Sequence, residues 1–284
     1  MQKKYFITYG TNEFNIQKRN LLYLAKKSEN FDNCIGFSQK NIDRSFYREF
    51  SEILNLKRGG GYWLWKYFII KKLLNEINEN DILVYSDAGS SFNPKGMNRL
   101  NEYFEMLNDD PSGNLRFQIE FKEKYWTNKE VFNYFNISLD SSIANTGQLM
   151  AGHLIFKKNI NSINIFNEFE KLIKFDSNLI TDFYSENQID GFNEHRHDQS
   201  ILSILSKING AIILKDETYF EKNPNEQFKF PFLAVQKRKY DSWQKLKFYL
   251  LYPIYVRKTI YFGKDLYFYQ KPSLIKRIKY KFSK

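Results

Sequence analysis

Apolar and polar residues follow one another along this chain in blocks whose period changes, and the blocks predict the order of elements. Lys4 to Tyr9 reads as a strand closed by Gly10, Gln17 to Lys27 as a helix with Leu21, Leu22, Leu24 and Ala25 inward, and Asn33 to Ser38 as a second strand. This is a β-α-β opening. Ile42 to Leu56 reads as one polar, aromatic helix, which Arg58-Gly59-Gly60-Gly61 breaks. Trp63 to Ile77 is an amphipathic helix, Glu79-Asn80-Asp81 a turn, and Ile82 to Ser86 an apolar strand that stops abruptly at Asp87-Ala88-Gly89. Farther on, Leu115–Phe121 and Leu149–Phe156 read as strands, Ile163–Phe175 and Asp198–Ile208 as helices, and Ala211–Leu214 as a last short strand. Parallel strands linked by helices, an α/β fold, are the expected result. The chain has no internal repeat and no low-complexity linker.

Four stretches carry candidate chemistry. The strand ending in Asp87 delivers a carboxylate to a sheet edge, where α/β enzymes bind ligands and where a metal-bound phosphate could be held; alternatively Asp87 only caps the turn through Gly89. Three glycines ahead of a helix, Gly59 to Gly61, would let backbone amides and the helix N-terminus approach an anion, with Arg58 and Lys66 on either side. Neither a Walker loop nor a dinucleotide fingerprint is present, so a flexible turn before core tryptophans is the competing account. Two of the chain's three histidines fall in Asn193-Glu194-His195-Arg196-His197-Asp198-Gln199-Ser200. Spaced by two in extended chain they point to opposite sides, so one metal ligand at most is expected, and Asp198 is placed to cap the following helix. In Asn145 to His153 small residues would let a substrate lie against backbone, and Gln148 and His153 offer groups for sugar hydroxyls; a strand bend with a core histidine is the alternative.

Composition narrows the frame. With 284 residues and 42% hydrophobic content the chain can bury a full core. A single cysteine, Cys34, excludes an internal disulfide framework and fits a reducing compartment, and the N-terminus shows no signal-peptide pattern, so a cytoplasmic protein is expected. The charge of +11 is concentrated: residues 236–284 hold fourteen Lys or Arg against Asp241 and Asp265, a net of +12, which leaves residues 1–235 at −1. This divides the chain into a folded domain, 1–235, and a basic extension, 236–284. Trp243, Tyr249, Tyr252, Tyr255 and other rings lie between those charges, a pairing that suits the anionic surface of a membrane. Phe248 to Val256, nine residues with Pro253 among them, is far below the ~20 needed to span a bilayer. Nucleic acid could use the same charges, yet it would require positive charge beside the acids, and the first 235 residues are near neutral. No nucleic-acid partner is expected.

Taken in order, these residues resemble the GT-A glycosyltransferase superfamily, which implies a Rossmann-like α/β fold with a mixed, mostly parallel sheet flanked by helices, and within it the bacterial enzymes of capsule and lipooligosaccharide synthesis. The resemblance covers roughly residues 3 to 220 and lies in Thr8-Tyr9-Gly10 at the first strand end, the Gly-rich helix leading to Tyr85-Ser86-Asp87-Ala88-Gly89, and His197-Asp198-Gln199 opening a late helix. It implies transfer of a sugar, a hexose, from a nucleotide diphosphate, a UDP-sugar, to a polysaccharide or lipid-linked oligosaccharide at the inner membrane face. Thr8, Tyr9, Gly10, Arg58, Trp63, Lys66, Asp87, Ala88, Gly89 and Gln199 are implied for the donor, Gln148 and His153 for the acceptor, and Asp198 and His197 as catalytic groups. Asp87 is implied as the carboxylate for Mn²⁺ or Mg²⁺, although the superfamily's Asp-x-Asp is here Asp87-Ala88-Gly89 and lacks the second acid. A non-catalytic carbohydrate- or nucleic-acid-binding protein is the alternative.

Overall fold

The computed structural model describes residues 1–220 and 226–234, so the basic extension lies outside the described residues. Seven strands form the main sheet: β1 (Lys4–Tyr9), β2 (Asn33–Phe37), β3 (Ile82–Ser86), β5 (Asn114–Lys122), β6 (Gly147–Leu149), β7 (His153–Lys157) and β8 (Ile212–Lys215). A small antiparallel pair, β4 (Ser91–Phe92) with β9 (Phe232–Leu233), stands apart from it. Five long helices are α1 (Asn15–Lys27), α2 (Leu64–Glu76), α3 (Met97–Asp109), α4 (Ile160–Phe175) and α5 (Asp198–Asn209). The sheet is mixed. β1 pairs in parallel with β2 and β3, and β5 with β8, whereas β7 runs antiparallel to both β3 and β5.

Side-chain alternation explains why helices cover both faces. On β3, Ile82 and Val84 join Phe6, Leu115, Phe117 and Ile155 beneath α1 and α3, while Leu83 and Tyr85 join Ile7, Leu154 and Phe156 beneath α2, α4 and α5. All five residues of β3 are buried, as befits a strand at the middle of a two-sided sheet. In α3 the inward Leu100, Tyr103, Phe104 and Leu107 repeat at helical spacing. The start of α4 is fixed by a capping box between Asn159 and Ser162.

Three elements differ from the sequence expectation. The single helix expected over Ile42–Leu56 is two short helices, Arg44–Glu49 and Ser51–Leu54, with Phe50 out of helical conformation between them. The strand expected over Leu149–Phe156 is β6 and β7, separated by a bend at Met150–Gly152 in which Met150 N still donates to Phe117 O of β5 while the Met150 carbonyl and both polar backbone groups of Ala151 turn to side chains. Helix α3 was not anticipated, although its apolar spacing was readable. Among the described residues no helix is long and apolar enough to cross a membrane.

Candidate functional site

Strands β1 and β3 are parallel and end at the same edge of the sheet, where antiparallel β7 begins and the N-termini of α2 and α5 arrive. Three charged side chains meet there. The Lys66 ammonium, 2% exposed, lies 2.7 Å from Asp198 Oδ2 and 3.3 Å from Asp87 Oδ1, and it donates to the Ala151 carbonyl at 3.1 Å. The Tyr85 hydroxyl donates to Asp87 Oδ1 at 2.5 Å, and Lys66 stands 5.1 Å over the Tyr85 ring.

The two acids differ in surroundings. Asp87 is 37% exposed, and its Oδ2 faces Gly152, where an added Cβ would sit 3.5 Å away and otherwise meet open space. Asp198 is buried, and burial pushes its carboxyl up to about 6 against the pull of Lys66. Burial opposes the charge on Lys66 as well, but the two carboxylates hold its pKa above the ordinary lysine value. Asp198 does not cap α5. The cap position belongs to His197, and Asp198 is the first helical residue, its negative charge at the positive end of the helix.

Behind the acids the bend between β6 and β7 forms a wall whose backbone is held from inside. Leu149 N donates to Ser203 Oγ at 2.8 Å, the Met150 carbonyl accepts from Arg116 at 2.8 Å, Ala151 N donates to Gln199 Oε1 at 3.1 Å, and the Gly152 carbonyl accepts from Asp87 N at 2.9 Å. Arg116 is fully buried without a hydrogen-bonded acid, and burial lowers its pKa to about 9. Gln148 belongs to this interior. It is fully buried, with its amide donating to Glu123, Trp126 O and Thr127, so the acceptor contact expected of it is replaced by internal hydrogen bonds. His153 is corrected for the same reason: it is fully buried, shares a hydrogen bond with Ser86 Oγ at 3.0 Å, and burial holds it neutral, with a pKa lowered to about 3.

On the other side of Lys66 the protein is open. A cavity of about 170 Å³ at the end of β1 is lined by Tyr9, Thr11, Gln39, Ile42, Tyr47, Leu54, Gly60 and Trp65. Tyr9 stacks on Trp65 with ring centroids 3.7 Å apart, and burial raises its phenol to about 12. A second cavity of about 400 Å³ shares Gln39, Ile42 and Tyr47 and adds Arg44 and Arg48. Thr8 is buried beneath this end, its hydroxyl without a hydrogen-bond partner, and Gly10 is hemmed in at 3.1 Å by Lys18 and the Phe14 carbonyl. The turn that carries Lys66 into place is left-handed: Gly59, Gly60, Gly61, Tyr62 and Trp63 all have positive φ. At Gly61, φ is +96° and a Cβ would lie 2.6 Å from Leu54 Cα, so only glycine fits without displacement. The expected cradle of helix-start amides is therefore a left-handed turn followed by α2.

His197 sits against that turn. Its φ of +55° with ψ of −122° is rare for a residue with a side chain, and its ring lies edge-on to Tyr62 and flat against Trp63. Nδ1–H donates to Ile180 O at 2.8 Å and burial depresses its pKa, so the imidazole is neutral with its Nε2 lone pair 3.8 Å from Asp182 Oδ1. Asp182, which the sequence did not single out, also accepts from Tyr62 OH at 3.0 Å and from Arg58 at 2.9 Å. Arg58 further contacts Glu194 at 3.4 Å, and so stands at this surface ion-pair group beside the acid site. Ala88 and Gly89 form the turn after Asp87, closed by Ser90 N donating to Asp87 O at 2.8 Å; the Asp87 side chain itself takes no part in capping.

The structure thus brings together Lys66, Asp87, Asp198 and Gln199 at one point, with Tyr9 and Gly10 nearby on β1 and Trp63 and His197 at the flank. Tyr85, Trp65, Asp182 and Ala151 were missed. The phenol two residues before Asp87 was the one readable signal, since alternation along a strand puts residues 85 and 87 on one side. Among the described residues no group of three or more His, Cys, Asp or Glu side chains could hold a metal ion. Asp87 Oδ2 faces the open space beside Gly152.

No family model matches the chain, and no curated protein matches it. Among solved structures it is similar to a glycosyltransferase involved in the glycosylation of the major capsid of PBCV-1, at 12% identity and a TM-score of 0.47, covering 81% of this chain and 92% of that one. It is similar also to mouse xyloside xylosyltransferase 1, at 11% identity and a TM-score of 0.40, covering 85% and 99%. A third is the galactosyltransferase LgtC in complex with donor and acceptor sugar analogs, at 12% identity and a TM-score of 0.40, covering 80% and 83%.

Proposed function

We propose that this protein is a glycosyltransferase that moves a sugar, a hexose, from a nucleotide diphosphate donor to an oligosaccharide or lipid-linked acceptor. One observation carries the reading: a lysine held between an exposed and a buried carboxylate, at the edge where parallel strands end, beside an aromatic-lined cavity. Chemistry of this class needs a place for a flat base, a polar edge for phosphates and a carboxylate near the sugar. The Tyr9–Trp65 cavity suits the base, and the open space at Asp87 and Gly152 suits the diphosphate and sugar.

In this proposal Lys66, ion-paired with both acids, fixes them and lowers the repulsion between them. Asp198 is the carboxylate that faces the transferred sugar, with Gln199 beside it; with its pKa near 6 it is ionised at neutral pH and can accept a hydrogen bond or a proton from a hydroxyl. His197, neutral and with a free Nε2, supports the same edge from the flank. Mn²⁺ or Mg²⁺ would take one protein oxygen, from Asp87, and the rest of its shell from diphosphate and water, where it would offset the charge of the leaving group. A UDP-sugar is the proposed donor, and the basic extension would hold the domain, residues 1–235, at the inner membrane face near its acceptor.

Calorimetric titration of the full chain with UDP, GDP and CMP, with and without Mn²⁺, tests the reading when repeated on Asp87→Ala. Binding of UDP that the substitution abolishes is the expected result. Absence of binding by every nucleotide would overturn donor recognition and leave carbohydrate or nucleic-acid binding to be tested on the same protein.

A further inference from the structure

Glu123, which follows directly after β5, is buried at 0% exposure, yet it is linked to the acid site through three successive side-chain or main-chain groups. Its Oε1 accepts from Gln148 Nε2 at 2.9 Å and from Thr127 Oγ1 at 2.8 Å; its Oε2 accepts from Ser203 Oγ and lies 2.7 Å from Lys207 Nζ. Gln148 Oε1 accepts from Gln199 Nε2 at 2.6 Å, and Gln199 Oε1 accepts from Ala151 N at 3.1 Å. The carbonyl of that same Ala151 accepts from Lys66.

An amide side chain can present either end, so each glutamine needs something to decide its direction. Carboxylate and carbonyl oxygens only accept. Gln148 must therefore turn its NH₂ to Glu123, the shorter contact, and to the Trp126 carbonyl, which leaves its oxygen for Gln199, which leaves the Gln199 oxygen for the Ala151 N–H. We infer that Glu123 is a positioning residue: through Gln148 and Gln199 it fixes the N–H of Ala151, and so the placement of the residue whose carbonyl holds Lys66 between Asp87 and Asp198. Its importance for catalysis rests on the sugar-transfer reading above, but the positioning does not.

Replacement by glutamine is a sharp probe, because four donors converge on the two oxygens of residue 123. The Lys207 ammonium can only donate, so it claims the one oxygen of Glu123→Gln, and the new NH₂ then opposes the NH₂ of Gln148. Adding Gln148→Glu restores an acceptor there. The carboxylate receives the NH₂ from position 123 and that of Gln199, and Ser200 Oγ, 3.2 Å from the present Gln148 amide, can turn its proton toward it from the Trp126 carbonyl, which keeps the Arg196 N–H.

The readout is amide hydrogen exchange at Ala151 by NMR in the full chain, compared with Val84 in the centre of β3. Ala151 is expected to exchange at least tenfold faster in Glu123→Gln with Val84 unchanged, and to return to within about threefold of the parent in the Glu123→Gln, Gln148→Glu double variant. Lys207→Met, which removes the ion pair and leaves the relay, should keep Ala151 protected. Equal acceleration at Ala151 and Val84, no acceleration at Ala151, or no recovery in the double variant would overturn the assignment. Should Glu123→Gln not fold, a folded double variant with protected Ala151 supports it, and failure of both overturns it. None of these outcomes depends on whether UDP binds, so this inference and the sugar-transfer reading fail separately.

Discussion

The two sides of the candidate site are built in opposite ways. Toward β1 and the turn before α2 there is open volume, a left-handed backbone at five successive residues, and buried polar groups such as the Thr8 hydroxyl with no hydrogen-bond partner. Toward β6, β7 and α5 the backbone of Leu149–Gly152 is tied to Ser203, Arg116, Gln199, Lys66 and Asp87. Lys66 and Asp87 arrive from the first region and Asp198 from the second, so the ion-pair cluster is the seam between them. The contrast teaches where adjustment is affordable: the edge that offers a cavity is built on a left-handed turn, while the wall that sets the position of the charges has its main chain held by side chains from β5, α2 and α5.

Removing the seam should have the largest effect. Lys66→Met leaves the buried Asp198 carboxylate facing Asp87 with no cation between them, and breaking the buried Lys66–Asp198 pair in this way costs about 3–5 kcal/mol. Denaturant unfolding of the variant measures it, and a loss under about 1 kcal/mol would show that the acids relax apart. Trp65→Ala strikes the open side by removing the ring stacked on Tyr9, at about 3 kcal/mol by the usual cost of emptying an aromatic site. If the open region is adapted to a planar ligand, nucleotide affinity falls more in this variant than in Lys207→Met, a comparison calorimetry can make.

A pH titration addresses the seam without mutation. The Asp198 carboxyl is raised to about 6, chiefly by burial, so the folded protein holds that proton more tightly than the unfolded chain does. Its contribution to stability is full below the ordinary Asp value of about 3.9, and it is lost as pH rises through about 6. Activity that uses the ionised carboxylate runs the other way and drops about tenfold per pH unit below 6. A flat rate profile from pH 5 to 7, measured with the donor found by titration, would exclude Asp198 from that role. The smallest effect is expected at Arg58→Gln: exposed pairs with Asp182 and Glu194 contribute under about 1 kcal/mol, so the melting temperature should barely move. A large loss of nucleotide binding in the same variant would show that Arg58 leaves those acids for the ligand.

The positions of Asp87, Lys66 and Asp198 were legible for a local reason. Each lies at the end of a strand or the start of a helix, and a parallel β-α-β order sends such ends to one edge of the sheet. Gln148 and His153 were misplaced because they are polar residues in a small-residue stretch, and a sequence shows that a residue can hydrogen-bond but not to which neighbour. Their partners, Glu123 and Ser86, are 25 and 67 residues away in the chain. The cap of α5 shifted for a similar reason: Asp198 had the composition of an N-cap, but a lysine from α2 claimed its carboxylate. His197, instead, took the cap position in an uncommon backbone conformation supported by the Trp63 and Tyr62 rings.

By itself, then, the sequence determined the α/β succession, the two-sided burial of β3 and the delivery of three charged residues to one edge, since these follow from hydrophobic period and chain direction. Only the tertiary structure decided the antiparallel insertion of β7, the split of one expected strand at Met150–Gly152, the pairing of Lys66 with both acids and the burial of Gln148 and His153. Those outcomes depend on which distant segments share a small volume, where each donor must find an acceptor and each buried charge a partner, a condition that no local pattern records.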